Sequence, residues 1–200
     1  YFFEPDTKQG ARYQKQLLMP IGEYSVDWVE FLVRATHNRS WIDVYDYRVI
    51  QHGTDKGRDI SLYSDRLTPS LIFAGTICAE NISPYIFRDQ TRAGATVLSN
   101  ISSLSPFRNN ATLGRQTLAI DMTRALENGR YFVMAGNDNE SFVIADTGDI
   151  VAISGDDVPN SSFSAEVQVH TYTTPFVRFG DYMLLIAGAF LLIVCVWLLT

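Results

Sequence analysis

Two side chains in this sequence have the chemistry of a covalent catalyst and its helper. Cys78 closes the apolar, β-prone run Leu71-Ile-Phe-Ala-Gly-Thr-Ile-Cys-Ala-Glu80, and the carboxylate of Glu80 follows two residues later. A buried strand ending there delivers the thiol to a sheet edge, where loops can surround it with polar groups. The residue type admits two roles. Free cysteine is among the most buried side chains, so a small core filler is the plainer one, and a nucleophile is the other. Lys15 follows a strand-like run, with Glu23 on the neighbouring segment Pro20-Ile-Gly-Glu23. Taken alone it reads as an exposed strand lysine. Beside a thiol, a lysine lowers the thiol pKa and can hold the oxyanion of an acyl intermediate. A nearby carboxylate fixes such a lysine and balances its charge.

Other chemistries find less support. His37, His52 and His170 stand far apart and form no short metal-ligand spacing. A Cys–His pair would need Cys78 with the distant His52 or His170, and nothing local favours it. Asp146-Thr-Gly148 has the letters of the aspartic-protease triplet, but it is followed by Asp149 and lies between two strand-like runs. A hairpin turn explains it better. Asn81-Ile-Ser and Asn100-Ile-Ser are common triplets and carry no function here. The net charge of −6 and the lack of a basic cluster argue against a nucleic-acid partner.

The elements that must position Cys78 and Lys15 follow from periodicity. Strand-like runs are expected at Tyr1–Phe3, Ala11–Leu18 and Leu71–Cys78, with weaker pieces at Trp41–Tyr47 and Ser61–Tyr63. Helical spacing appears over Val26–Val33 and Pro84–Ala93, the latter with Tyr85, Ile86 and Gln90 on one side. Ala95–Ser99 reads as a strand and Asn100–Asn110 as a polar loop. Gly114–Glu127 is the clearest helix before the C-terminal region, with Leu118, Met122, Ala125 and Leu126 on one face and Gly129 as its C-terminal cap. Tyr131–Ala135, Ser141–Ala145 and Ile150–Ile153 alternate with turns. Interleaved strands and helices point to a layered α/β or α+β domain.

The last stretch is different. Of the 200 residues 46% are hydrophobic, and much of that content lies in Tyr182–Leu199, which has no charge. As a helix it would be roughly 27 Å long, close to the hydrocarbon core of a bilayer. Tyr182 and Trp197 stand near its two ends, where membrane interfaces favour aromatic rings. Cys195 falls inside this stretch, so no disulfide with Cys78 is expected. At the other end, the opening at Tyr1-Phe-Phe3, already strand-like, leads us to expect further sequence before it.

Four motifs in register carry a resemblance. Tyr13-Gln-Lys-Gln-Leu-Leu-Met-Pro-Ile-Gly-Glu-Tyr24, Gly75-Thr-Ile-Cys-Ala-Glu80, Leu98-Ser-Asn-Ile-Ser102 and Arg124-Ala-Leu-Glu-Asn-Gly-Arg130 are similar to the nitrilase (carbon–nitrogen hydrolase) superfamily. Thr174-Pro-Phe-Val-Arg-Phe-Gly-Asp181, running straight into the apolar stretch, resembles the membrane-bound N-acyltransferases of that superfamily, which complete bacterial lipoproteins. The resemblance implies an αββα sandwich over 1–176, incomplete at its N-terminus, and a transmembrane helix over 182–199. It also implies a Glu–Lys–Cys catalytic set whose general-base glutamate precedes this chain, since Glu4 is too close to Lys15. Cys78 would take an acyl chain from a phospholipid as a thioester. Lys15 and the backbone N–H of Ala79 would hold the oxyanion, Glu23 would match the additional glutamate near the lysine, and Glu80 the acidic residue after the cysteine. The acyl group would pass to the amine of a diacylglyceryl lipoprotein, without a cofactor or metal. The enzyme is expected to be a monomer on the periplasmic side of the cytoplasmic membrane, and the 200 residues alone to be inactive. The chain departs from the family pattern at Ala79, which replaces an aromatic, and at Ser102–Phe107, which lacks an Asp-Ala-Trp-Phe-like run. Two other functions stay open: a membrane-tethered amidase or nitrilase that uses the same Cys78 and Lys15 with water as acceptor, and a catalytically dead, membrane-anchored binding domain.

Overall fold

The computed structural model describes residues 13–18, 27–37, 62–64, 68–107, 110–137, 140–154 and 163–199. A short helix, α1 (Asp27–Ala35), precedes the first strand, β1 (Leu62–Ser64). Then come β2 (Ile72–Ile77), α2 (Pro84–Arg92), β3 (Val97–Ser103), α3 (Ala111–Asn128) and β4 (Tyr131–Asn137). The hairpin β5 (Phe142–Ile144) and β6 (Ile150–Ile153) follows, then α4 (Pro175–Phe179) and α5 (Tyr182–Leu199). The strands form one six-stranded sheet in chain order. β2, β3 and β4 are parallel, joined through α2 and α3, with Ile77 paired to Ile101 and Val97 to Tyr131. β1, β5 and β6 add antiparallel edges.

The parallel strands are apolar enough to be covered on both faces, as such sheets require. On one face α2 and α3 bury Ala74, Leu98, Phe132, Met134, Phe142 and Ile144, with Phe87 and Ala125 coming from the helices. Each fully buried phenylalanine contributes about 1.5–3 kcal/mol. The alternation along β4 turns Tyr131 and Val133 to the other face, where Ala165 and Val167 of the extended C-terminal stretch cover them with Val143.

The helix ends follow from local chemistry. Pro84 opens α2, where its missing N–H costs nothing. Asn110 caps α3 by accepting from the N–H groups of Thr112 (3.0 Å) and Leu113 (3.2 Å). Gly129 closes α3 at φ +59°, and a Cβ there would lie 2.6 Å from the Tyr172 ring.

Several expectations are corrected. Tyr13–Leu18 is irregular rather than a strand. The N–H groups of Gln16 and Leu17 are taken by a carboxylate instead of a sheet neighbour. β3 runs on to Ser103, into the polar stretch expected as a loop, because it stays paired with β4 as far as Asn137. α3 begins at Ala111, and its buried face is mostly polar, with Thr117, Asp121, Arg124 and Asn128, while Leu126 faces solvent. In α2 the buried side chains are Phe87, Gln90 and Thr91, and Tyr85 is exposed. The described sheet is a single one; the second sheet of a sandwich is not seen among the described residues. The expected strands at Tyr1–Phe3 and Trp41–Tyr47 lie outside them. Asp146–Asp149 is a hairpin turn between β5 and β6, with Gly148 at φ +85°.

The span expected over 182–199 is not supported at the level of length. α5 forms over those residues as a helix of 18 residues. Among the described residues no helix is long and apolar enough to cross a membrane. α5 is nonetheless apolar all round, with Leu185 at 77% and Leu192 at 69% exposure.

Candidate active site

Pairing between β2 and β3 ends at Ile77 and Ile101, and the next residue, Cys78, turns the chain sharply. It starts a single 3-10 turn, Cys78–Ile82, at φ +57°. A residue with a Cβ holds this left-handed conformation only at a cost of about 1–3 kcal/mol, which the surroundings must cover. Asn100, fully buried on β3, does part of this by donating from Nδ2 to the Cys78 carbonyl at 2.9 Å. The thiol is half-buried at the C-terminal end of the parallel strands, where open α/β sheets bind their ligands.

Glu80 has no solvent exposure, yet four donors meet its carboxylate. Oε1 accepts from the backbone N–H groups of Gln16 (2.5 Å) and Leu17 (3.0 Å). Oε2 accepts from the Tyr13 hydroxyl (2.8 Å) and the N–H of Ile77 (2.7 Å). A buried carboxylate is tolerable when its lone pairs are filled in this way. Burial, then the charge of Glu80 and the hydrogen bond to it, push the Tyr13 hydroxyl well above its ordinary pKa, so Tyr13 stays a donor. Glu80 therefore fastens the stretch around Lys15 to the turn that begins at Cys78.

A cavity of about 250 Å³ opens beside Cys78 and Ala79. Ile82, Leu104, Phe107, Leu113 and Ile120 supply its apolar wall, and Asn81, Ser102 and Gln116 its polar part. Asn81 is held from behind: its Nδ2 donates to Oδ1 of Asp121, fully buried on α3, at 2.9 Å. The other oxygen, Oδ2, has no hydrogen-bond partner among the described residues. Burial pushes the Asp121 carboxyl up to about 7, against the opposing pull of the Asn81 hydrogen bond and the Arg124 charge.

The structure thus puts Cys78, Ala79 and Glu80 on one turn, with the backbone just after Lys15 and the Tyr13 side chain before it held against that turn. Glu23 lies outside the described residues. Tyr13, Asn81, Asn100 and Asp121 were not singled out from sequence. Asn81 and Asn100 were legible only as parts of common triplets, and Asp121 only as a polar residue on a helix, because partners 22 and 40 residues away give them their meaning.

A family model described as carbon-nitrogen hydrolase matches residues 1–174. The chain belongs to the carbon-nitrogen hydrolase family. Within this family it is similar to the apolipoprotein N-acyltransferase of Mycolicibacterium smegmatis, at 29% identity over 97% of this chain and 30% of that protein. The apolipoprotein N-acyltransferase of Chromobacterium violaceum is 27% identical over 90% of this chain and 33% of that protein. That of Ralstonia nicotianae is 28% identical over 94% and 34%. The chain spans about a third of the length of these curated relatives. Among solved structures of the family, Saccharomyces cerevisiae Nit3, of branch 10 of the nitrilase superfamily, is 18% identical with a TM-score of 0.43, over 56% of this chain and 40% of that one.

Proposed function

We propose that this chain carries the thiol and the lysine of an N-acyltransferase that moves a fatty acyl chain from a phospholipid to the amine of a diacylglyceryl-cysteine lipoprotein. The Cys78 thiolate attacks the ester carbonyl, and the tetrahedral oxyanion is held by Lys15 and the N–H of Ala79. Collapse expels the lysophospholipid alkoxide, which takes up the proton that the general base removed from the thiol, and a thioester remains. The lipoprotein amine attacks the thioester, forms the amide and returns the thiol. Glu23 neutralises and steadies Lys15, and Glu80 holds the stretch that carries it.

The observation that carries this reading is the buried Glu80 carboxylate, which ties the Gln16 and Leu17 N–H groups after Lys15 and the Tyr13 hydroxyl before it to the Cys78 turn. The apolar cavity beside the thiol suits an acyl chain, and the similar proteins are named apolipoprotein N-acyltransferases. We further read α5, apolar on every side, as the element that keeps the domain at the membrane where both lipid substrates reside. The catalytic domain, over 1–176, would lie on the periplasmic side as a monomer.

The test is the intact mass of the full-length, detergent-solubilised protein after incubation with phospholipid alone. A gain of one acyl group, absent in Cys78→Ala and removed by hydroxylamine, is expected. No adduct, with ammonia released from small amides or nitriles, would assign the same residues to a hydrolase using water. Neither adduct nor ammonia would leave a binding domain.

A further inference from the structure

A second cavity lies at the opposite end of the parallel strands from Cys78. It measures about 440 Å³, and three arginines line it: Arg92 at the end of α2, Arg130 just before β4, and Arg178 in α4. Thr96, which directly precedes β3, marks the same sheet end. The seven residues of β3 separate this end from the thiol by roughly 20 Å, so the two cavities cannot share one small ligand.

Two of these guanidiniums are built into place and keep one nitrogen spare. Arg92 donates from Nε to the carbonyl of Val177 (2.8 Å) and from Nη2 to that of Arg178 (2.8 Å), which leaves Nη1. Arg130, only 4% exposed, donates from Nε to Ala95 (2.9 Å) and from Nη1 to Gly129 (2.8 Å) and Tyr172 (2.9 Å). Its Nη2 has no protein acceptor among the described residues. Arg178 is exposed, and its guanidinium lies 5.1 Å from the Phe179 ring centre. None of the three forms an ion pair within the described residues, whose ion pairs are Arg124–Glu127 and His170–Asp146. Asp146 is the acid whose charge acts on Arg130, but it accepts from the Tyr172 hydroxyl at 2.9 Å and does not line the cavity. The exposed hydroxyls of Thr171 and Thr173 complete the rim.

Three positive charges gathered around one hollow repel each other unless an anion joins them. Fixed arginine forks with spare N–H groups match the oxygens of a phosphate better than those of a single carboxylate. We propose that this cavity is a binding site for a phosphate group, separate from the acyl-transfer centre. The group can come from a lipid headgroup or from free phosphate. Position favours the lipid: α4 lines the cavity, and α5 begins at Tyr182, four residues beyond Arg178. If α5 lies in the bilayer, as proposed above, the foot of that helix stands at the level of the headgroups. Only the choice of source rests on that reading.

The test uses the full-length protein in neutral detergent with two probes, phosphatidylglycerol and inorganic phosphate, and diacylglycerol as the phosphate-free control. Arg178→Gln removes a charge that makes no hydrogen bond to the described protein. Thr173→Asp adds a negative charge at an exposed rim position and leaves the bonds of Arg92 and Arg130 in place. Both variants should bind phosphatidylglycerol at least roughly tenfold more weakly than wild type, with diacylglycerol unaffected. Inorganic phosphate bound and weakened in the same way, without any preference for the lipid, would keep the site and assign it to a soluble anion. Equal binding of both probes by wild type and by both variants would overturn it. Thioester formation on Cys78, followed in the same samples, reports on the acyl-transfer reading independently.

Discussion

At Glu80, geometry narrows the choice of side chain to one. Glutamine has the same shape, but its amide nitrogen would face two donors in place of one carboxylate oxygen. Each hydrogen bond lost in a buried site costs about 1–3 kcal/mol, enough to release the segment from the turn. Glu80→Gln is therefore expected to speed hydrogen exchange over residues 13–18 and to slow acyl-adduct formation at least about tenfold, through loss of position at Lys15. Lys15→Ala, which removes the proposed oxyanion donor, is expected to cost at least about a hundredfold while leaving that exchange as in wild type. Full adduct formation by Glu80→Gln would show that the clamp is structural and not part of the catalytic arrangement. The sequence showed Glu80 as an acid after a cysteine. Its four partners come from two segments that only the fold brings together.

The pair of the 78–82 turn with α3 has its own pH signature. Because burial raises the Asp121 carboxyl to about 7, the native state holds this proton more tightly than the unfolded chain, whose carboxylates titrate near 4. Between those values the folded protein carries more protons, so this group's contribution favours folding below about pH 4 and is lost as pH rises to about 7. Asp121→Asn keeps the acceptor for Asn81 and removes the titration. In urea unfolding, the stability of wild type relative to this variant should fall between about pH 4.5 and about pH 7.5, and parallel profiles would refute the assignment. The same helix shows where sequence reading stops. β2, β4 and the hairpin were legible from β-prone runs and turn residues, and the end of α3 from Gly129. Leu118, Met122 and Ala125 of the expected inward face do pack on the core, but the polar part of that face was hidden, because Thr117, Asp121 and Asn128 look like surface residues until Asn81 and Thr91 are set opposite them. The end of β3 was hidden likewise: Asn100 and Ser102 read as loop, and pairing with β4 overrides that preference.

For the molecule as a whole, the apolar surface of α5 is the feature that bears on the proposed membrane placement. Its apolar side chains, exposed around the full circumference, have no amphipathic stripe with which to pack on the domain. Washing membranes at alkaline pH should leave the full-length protein with the lipid. Replacing Leu192 and Ile193 by arginine should move it toward the soluble fraction or prevent accumulation, since charges on this apolar surface weaken its attraction to lipid. The parallel strands meanwhile carry the Cys78 turn at one end and the arginine-lined cavity at the other. The contacts of Glu80 with Gln16 and Leu17 also fix an order of assembly, since they join residues 64 and 63 positions apart. Closing so long a loop is slower than forming the neighbouring βαβ pairings, and it is rewarded only once the turn after β2 exists to receive it. The Glu80 clamp on residues 13–17 is therefore expected to close after β2 and β3 have paired, a late step that pulse-labelled hydrogen exchange during refolding would read directly.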